Sequence, residues 1–286
     1  MKTFSETYRG NGLSLCVHRF ADEQASPSDV SIVLLHGFMD SGATWDLVAS
    51  ELCTSGASIY APDFRGFGRS DRVTGGGYYH FPDYVADITR LIDAIAPREL
   101  VLVGHSMGGT VACLYAGAFP ERVQRLVLLE GVGPPAMDGS IAPLRMRRWL
   151  GELAELRAGR PLASVEDAAR RLSATHPRID RAVILSRARH LTIEKPDGTL
   201  EWAHDPLHRT TSPSIFHIDA FKSFLAEVRC PVTFVSGGET GWHPPDEGER
   251  LAAFPTPPRV IVLDHAGHMM HWTEPTAIAR AILATP

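Results

Sequence analysis

Short apolar runs alternate with amphipathic stretches along the first 130 residues. Leu13–Phe20, Val30–His36, Ser58–Pro62, Leu100–Gly104 and Leu126–Glu130 are rich in branched and apolar side chains and read as strands. Between them, Trp45–Cys53, Tyr84–Ile95 and Met107–Phe119 repeat apolar residues at helical spacing. Strands that are apolar on both faces need cover on both faces. The alternation therefore predicts an α/β fold with a mostly parallel central sheet flanked by helices. The pattern resumes with strands at Val232–Gly237 and Arg259–Asp264 and closes with a helix at Pro275–Leu283.

Residues 134–213 break this rhythm and contain no good strand. Leu144–Arg157 puts Trp149, Leu150, Leu153 and Leu156 on one helical face. Ser164–Asp167 reads as a capping box opening a second helix, and Asp180–Leu191 makes a third. The expected organisation is one core built from 1–133 and 214–286, interrupted by a helical cap at 134–213.

Charge adds a second contrast. The chain has 28 basic and 33 acidic residues, a net charge of −5. This mildly acidic balance argues against nucleic acid or an anionic membrane as partner. Twelve of the 25 arginines fall in 134–213, giving that segment a net charge of +3 and the remainder −8. The N-terminal stretch has no apolar signal-peptide core, and no run approaches the ~18 apolar residues of a membrane span. Cys16, Cys53, Cys113 and Cys230 are scattered without a CxxC and read as buried reduced thiols. A cytoplasmic location is the expectation.

The chemistry concentrates at Gly104-His105-Ser106-Met107-Gly108, a G-x-S-x-G sequence between an apolar strand and a helix. A serine on so tight a turn leaves no room for a Cβ two residues to either side, which is why glycines stand there. The helix N-terminus adds a positive dipole that favours an alkoxide and then an oxyanion.

With these residues the chain resembles the α/β-hydrolase fold serine hydrolases over roughly 1–130 and 218–286. His36-Gly37 resembles the family's HG oxyanion motif, Asp63–Ser70 its D-x-R-G-x-G-x-S loop, and Ala266-Gly267-His268 its histidine loop. The resemblance implies the α/β-hydrolase fold with a cap inserted after the sixth strand. It also implies Ser106 as nucleophile and an oxyanion hole from the backbone N–H groups of Phe38 and Met107. Asp63 and Arg65 are expected to hold their loop together.

His268 follows the last strand and can reach Ser106 as general base, then general acid. The spacing of His265, His268 and His271 could suit a metal, but a nucleophile needs one of them. The reading is therefore no metal and no cofactor, with His265 and His271 bonding locally or lining the pocket. The acid departs from the family pattern. Thr240 stands where an Asp is usual, and the nearest carboxylate there is Glu239. Some members place the acid at the end of the strand before the cap, where this chain has Glu130. Glu130 is favoured over Glu239, because a carboxylate ending an apolar strand is costly to bury without a partner.

Expected pocket residues are His36, Met39, His105, Trp149 and Trp242, with Phe38, Met146 and Leu150 as further apolar candidates. Most of the cap's apolar side chains are expected to form its own core. Its arginines could attract an anionic acyl or leaving group, or simply face water beside the local acids. The expected activity is cleavage of a small carboxylic ester through an acyl-enzyme with a Ser-His-Glu triad. Thioester, lactone, amide or C–C hydrolysis on the same residues is the alternative, and a non-catalytic receptor on the same fold is a third. Epoxide hydrolases and haloalkane dehalogenases are disfavoured, since they need Asp where Ser106 stands. The partner expected is a small-molecule ester, with no nucleic acid and no membrane; a homodimer stays open.

Overall fold

The computed structural model describes residues 1–22, 24–26, 28–156, 159 and 161–284. Strands β1 (Lys2–Gly10) and β2 (Leu13–Ala21) form an antiparallel hairpin turned at Asn11 and Gly12, with φ of 50° and 77°. Left-handed backbone at both turn residues matches the right-handed twist of the strands. β1 was not expected from the pattern, because its side chains are mostly exposed and no apolar run announces it.

Strands β3 (Val30–Leu35), β4 (Ser58–Pro62), β5 (Glu99–His105) and β6 (Arg125–Leu129) follow. The short β7 (Thr192–Glu194) and β8 (Leu200–Trp202) make a separate hairpin, and β9 (Val232–Ser236) and β10 (Arg259–Val262) complete the main sheet. Its order is β1-β2-β4-β3-β5-β6-β9-β10. The pairs from β4 through β10 are parallel, while β2 joins antiparallel.

Strand periodicity divides the core. Val33, Leu35, Leu102 and Leu128 point into one apolar layer. Their neighbours Ile32, Leu34, Val103 and Leu129 point into the other. Helices α1 (Asp46–Leu52), α2 (Phe81–Ile95) and α3 (Met107–Ala118) precede the sixth strand or lead into it. The inserted segment then supplies α4 (Ala142–Ala154), α5 (Val165–Thr175) and α6 (Arg181–His190). After it come α7 (Ile218–Glu227), α8 (Glu247–Leu251), α9 (Met270–Thr273) and α10 (Pro275–Leu283). α2, α3 and α7 cover the first layer; α1 and α10 cover the second.

The segment between β6 and α7 differs from expectation in two ways. It holds the β7–β8 hairpin, whose three-residue strands are too short to show a period and flank Pro196-Asp197-Gly198. And α4 buries none of its residues, with Leu144, Met146 and Leu150 exposed. The segment's apolar centre is instead Leu162, Ala168, Ala169, Ile184 and Ala188, around α5 and α6. Arg157 of the expected first helix lies outside the described residues. Ser164 does cap α5, accepting from Asp167 N at 3.2 Å.

This segment is bolted to the core by a buried cation. Arg187 on α6 donates to Asp46 Oδ1 and to the Thr44 carbonyl, both at 2.6 Å, and to Asp46 Oδ2 at 3.0 Å. Burial opposes ionisation of Asp46, but His190 and Arg187 outweigh it and hold the carboxyl down to about 2.

The Asp63–Ser70 loop is knitted from within. Asp63 accepts from Gly42 N at 2.7 Å, Arg69 N at 2.9 Å and His18 Nε2 at 3.2 Å. Arg65 forms a bidentate pair with Asp87 on α2, both bonds 2.6 Å. Among the described residues, Asp87→Ala leaves that buried guanidinium with Asp83, 3.7 Å away, as its one remaining carboxylate. The expected loss is about 3–5 kcal/mol of unfolding free energy by denaturant titration. A loss under about 1 kcal/mol would show the pair to be dispensable.

Candidate active site

Parallel β3, β5, β6 and β9 are neighbours, and their C-terminal ends lie in register: Leu35 beside Gly104, Gly104 beside Leu128, and Leu129 beside Val235. The residues that follow these ends, His36, Ser106, Glu130 and Gly237, are therefore carried to one edge. Open α/β sheets concentrate function at this edge.

Ser106 sits at φ 52°, ψ −115°, between β5 and α3. Its N–H bonds Leu129 O at 2.9 Å, which ties the turn to β6. A Cβ on Gly104 would lie 2.5 Å from Gly109 Cα and from Gly108 O, so the turn closes only with glycine there. Gly37 comes just as close from the other side. A Cβ on it would lie 2.6 Å from His105 Nδ1 and 3.3 Å from Ser106 Cβ. The HG turn is thereby pressed against the serine. Among the described residues, neither Phe38 N–H nor Met107 N–H has a hydrogen-bond acceptor. Met107 opens α3, where backbone donors have no partner within the helix.

His268 Nδ1 lies 2.7 Å from Glu130 Oε2. Glu130 is 1% exposed, and its backbone is at φ 47°. Its Oε1 accepts from Gly237 N at 2.6 Å and its Oε2 from Trp242 N at 2.7 Å. His243 Nε2 stands 3.5 Å from Oε1. Two backbone donors and the His268 imidazole thus satisfy a carboxylate taken out of water, while His243 Nε2 gives its proton to the Gly238 carbonyl at 3.0 Å. No arginine of the inserted segment reaches it among the described residues. Glu239, in the loop after β9, is exposed and has no ion pair or hydrogen-bond partner among the described residues. Thr240 lies instead against Gly267, in the histidine loop.

No hydrogen bond joins Ser106 Oγ to the His268 ring among the described residues. Catalytic hydrogen bonds are often long without substrate and tighten when it binds.

Behind these residues lies a histidine layer that the sequence reading did not assemble. His105 Nε2 donates to the His268 carbonyl at 2.8 Å, and its ring centroid is 4.7 Å from that of His268 and 4.4 Å from that of His271. His271 Nε2 meets Asp40 Oδ2 at 2.9 Å. Asp40 also accepts from Thr44 Oγ1 at 2.7 Å and Ser41 N at 2.9 Å. Burial resists ionisation of Asp40, but the His271 contact holds its carboxyl below the ordinary range. Asp40, His105 and His271 place their ligand atoms within 4.8 Å of one another, as do Cys16, His18 and Asp63. In both clusters, protons already link the carboxylate to an imidazole. His36 is fully buried, with Nδ1 2.7 Å from Gly37 O and Nε2 accepting from Phe64 N at 3.0 Å. It holds the HG turn against the Asp63 loop. His265 is exposed at φ 69°.

A cavity of about 690 Å³ opens at this edge, with Phe38, Ser106, Met107, Glu130 and Trp242 in its wall. Phe216, Phe221 and Leu114 extend the wall as apolar surface. Four of the expected pocket residues do not line it. His36 and His105 are buried behind the turn, Met39 packs toward the core, and Trp149 stands edge-on to Tyr78 at 5.6 Å. His268 stands beside Trp242, ring centroids 6.2 Å apart. His208 lines the cavity between stacked Phe67 (3.9 Å) and Tyr79 (4.0 Å).

Burial pushes the His208 imidazole down to about 3, and it lowers His36, His105 and His271 as well. All four therefore stay neutral in the folded protein at neutral pH. As pH falls through about 6.5, the unfolded chain takes up their protons first. The stability these rings contribute is complete above that pH and is lost progressively below it, over a window reaching toward pH 3 for His208. Urea midpoints should fall steeply from pH 7 to pH 5, each histidine adding up to about 1.4 kcal/mol per pH unit. Flat midpoints over that range would contradict the assignment.

A strained serine at a strand–helix turn, an imidazole braced by a buried carboxylate and free N–H groups beside the serine define a hydrolase-type site on a doubly covered sheet. The alpha/beta hydrolase fold family matches residues 30–275, and the chain belongs to it. A serine hydrolase-like protein of Danio rerio is 26% identical over 265 residues, 88% of this chain and 79% of that protein. A hypothetical protein of Pseudomonas aeruginosa PAO1 is 27% identical with a TM-score of 0.81, covering 97% of this chain and 96% of that one. The thioesterase domain of the curacin biosynthetic pathway is 25% identical with a TM-score of 0.84, covering 99% of this chain and all of that one. No helix among the described residues is long and apolar enough to cross a membrane.

Proposed function

We propose that this protein is a serine hydrolase that cleaves the carboxylic ester of an apolar acyl chain through a covalent acyl-enzyme. The observation that carries this reading is the 2.7 Å contact between His268 and buried Glu130 at the sheet edge where Ser106 is exposed to the cavity. Glu130 fixes the His268 tautomer with its proton on Nδ1, leaving Nε2 as the base. Ser106 Oγ forms a bond to the acyl carbon as its proton passes to His268. The carbonyl π pair moves onto oxygen, facing the N–H groups of Phe38 and Met107. Two such donors in a site shielded from water contribute several kcal/mol to the transition state.

Collapse of the intermediate breaks the C–O bond, and the proton on His268 goes to the leaving alcohol. Water then repeats the sequence on the acyl-enzyme, releasing the acid and restoring Ser106. Thioester cleavage is the second reading, favoured by the similarity to the curacin thioesterase domain; there the C–S bond breaks and a thiol leaves.

A fluorophosphonate probe is expected to label the protein at the Ser106 peptide, read by mass spectrometry. An unlabelled, folded protein would overturn the proposal. Matched esters and thioesters of one acyl chain then separate the two readings by kcat/KM.

A further inference from the structure

Among the described residues, the cavity wall carries an arginine with no carboxylate paired to it. Arg145 on α4 lines the cavity together with Tyr78, Thr210 and Ser212. Its Nη2 donates to the Ser212 carbonyl at 2.9 Å and its Nη1 to Met137 Sδ at 3.2 Å. Its Nε is buried and has no partner. Among the described residues, no carboxylate forms an ion pair with it.

Several other arginines of this segment have carboxylate partners, while Arg147 on the same helix is exposed to solvent and has no ion pair among the described residues. Arg148 pairs with Glu152 at 2.7 Å, and Arg171 pairs with Asp167 at 2.7 Å. Arg170 is bound to the same Asp167. Glu152 is in reach of the Tyr78 neighbourhood, but Arg148 and Thr211 occupy both its oxygens. Tyr78 OH is 2.7 Å from Thr210 Oγ1, so two hydroxyl groups stand in the same polar patch of an otherwise apolar wall.

The carbonyl and the thioether are neutral acceptors and use only two of the five guanidinium N–H donors, so among the described residues the Arg145 charge has no counter-charge at the cavity wall. Arginine's fixed fork suits a carboxylate, sulfate or phosphate oxygen pair.

We propose that Arg145 anchors an anionic group on the substrate, so that the preferred ester carries a negatively charged terminus in addition to its apolar chain. This rests on the serine hydrolase reading above. Arg145 does not touch Ser106, His268 or Glu130 through any described hydrogen bond. It would therefore select the substrate rather than act on the ester. Without it, a charged terminus entering this cavity would lose hydration against hydroxyl groups alone, with no opposite charge from the described residues.

The test uses 4-nitrophenyl esters of a homologous series of straight-chain dicarboxylic acids, each with its far carboxyl either free or capped as the methyl ester. For the wild type, the ratio of kcat/KM, free acid over methyl ester, should exceed one at the chain length that spans from Ser106 to Arg145. The preference should lie in KM. In Arg145→Gln the ratio at that length should fall about ten- to a hundredfold. Arg145→Lys should recover part of it. Arg147→Gln makes the same charge change on the exposed side of α4, off the cavity wall, and should keep the wild-type ratio.

If methyl esters are hydrolysed but no chain length favours the free acid, or Arg145→Gln leaves the ratio unchanged, the anchor is refuted and the hydrolase reading stands. An equal fall in Arg147→Gln would also refute it, because general charge and not the Arg145 fork would then set the preference. If the folded wild type hydrolyses neither series and takes no fluorophosphonate, both proposals fail.

Discussion

Glu130→Gln is expected to lower kcat by about 10⁴ with KM little changed, since an amide in this place favours the wrong imidazole tautomer. Glu130 Oε2 faces both the Trp242 N–H and His268 Nδ1, while Oε1 faces the Gly237 N–H. A glutamine offers one oxygen and one NH2 group, so one of these donors meets another donor. The imidazole then either turns its proton to Nε2, where it can no longer accept from Ser106, or loses its brace. Glu239→Gln, on an exposed side chain, is expected to change kcat less than about twofold, as for surface substitutions generally. Steady-state kinetics of the two variants on one ester give the ranking. The reverse order would move the acid to Glu239. Thermal unfolding of Glu130→Gln checks that it stays folded, because its unpaired donor is buried.

Ser106→Ala should remove more still, about 10⁶ in kcat, together with all fluorophosphonate labelling. The residue at position 106 is exposed to the cavity and contributes no side-chain hydrogen bond among the described residues, so the fold should be unchanged. What activity remains would come from the oxyanion donors and binding alone. Turnover within about tenfold of wild type would mean that Ser106 is not the nucleophile.

Several features of the site were legible in the chain because they are local. Gly104, Ser106 and Gly108 are set by the sterics of one turn. The placement of His36-Gly37 and Ala266-Gly267-His268 after apolar strands follows from sequence adjacency. The unbroken apolar strands announced a sheet covered on both faces, and alternation of Ile32 and Leu34 with Val33 and Leu35 between the two layers bears this out. The misses have physical causes too. β1 was silent because an exposed edge strand needs no apolar run, and β7–β8 because three residues carry no period. The amphipathic α4 pattern suggested a cap core, yet none of its residues is buried and Arg145 faces the cavity. An apolar stripe says that a face is covered in part, not what covers it.

The sequence by itself determined the α/β class, the serine turn and the candidate histidine, since short-range sterics and periodicity are properties of neighbouring residues. It left two carboxylates in contention, and it placed Asp40 in no network at all. Only the tertiary structure decided that Glu130, 138 positions from His268, lies 2.7 Å from it while Glu239 faces outward. The register of β6 against β9 sets that distance, bringing Leu129 beside Val235 and the Gly237 and Trp242 N–H groups onto the carboxylate. It likewise decided that Arg145 faces the cavity with no carboxylate paired to it among the described residues. Contacts between distant segments depend on how whole layers pack, and no local stretch of sequence carries that information.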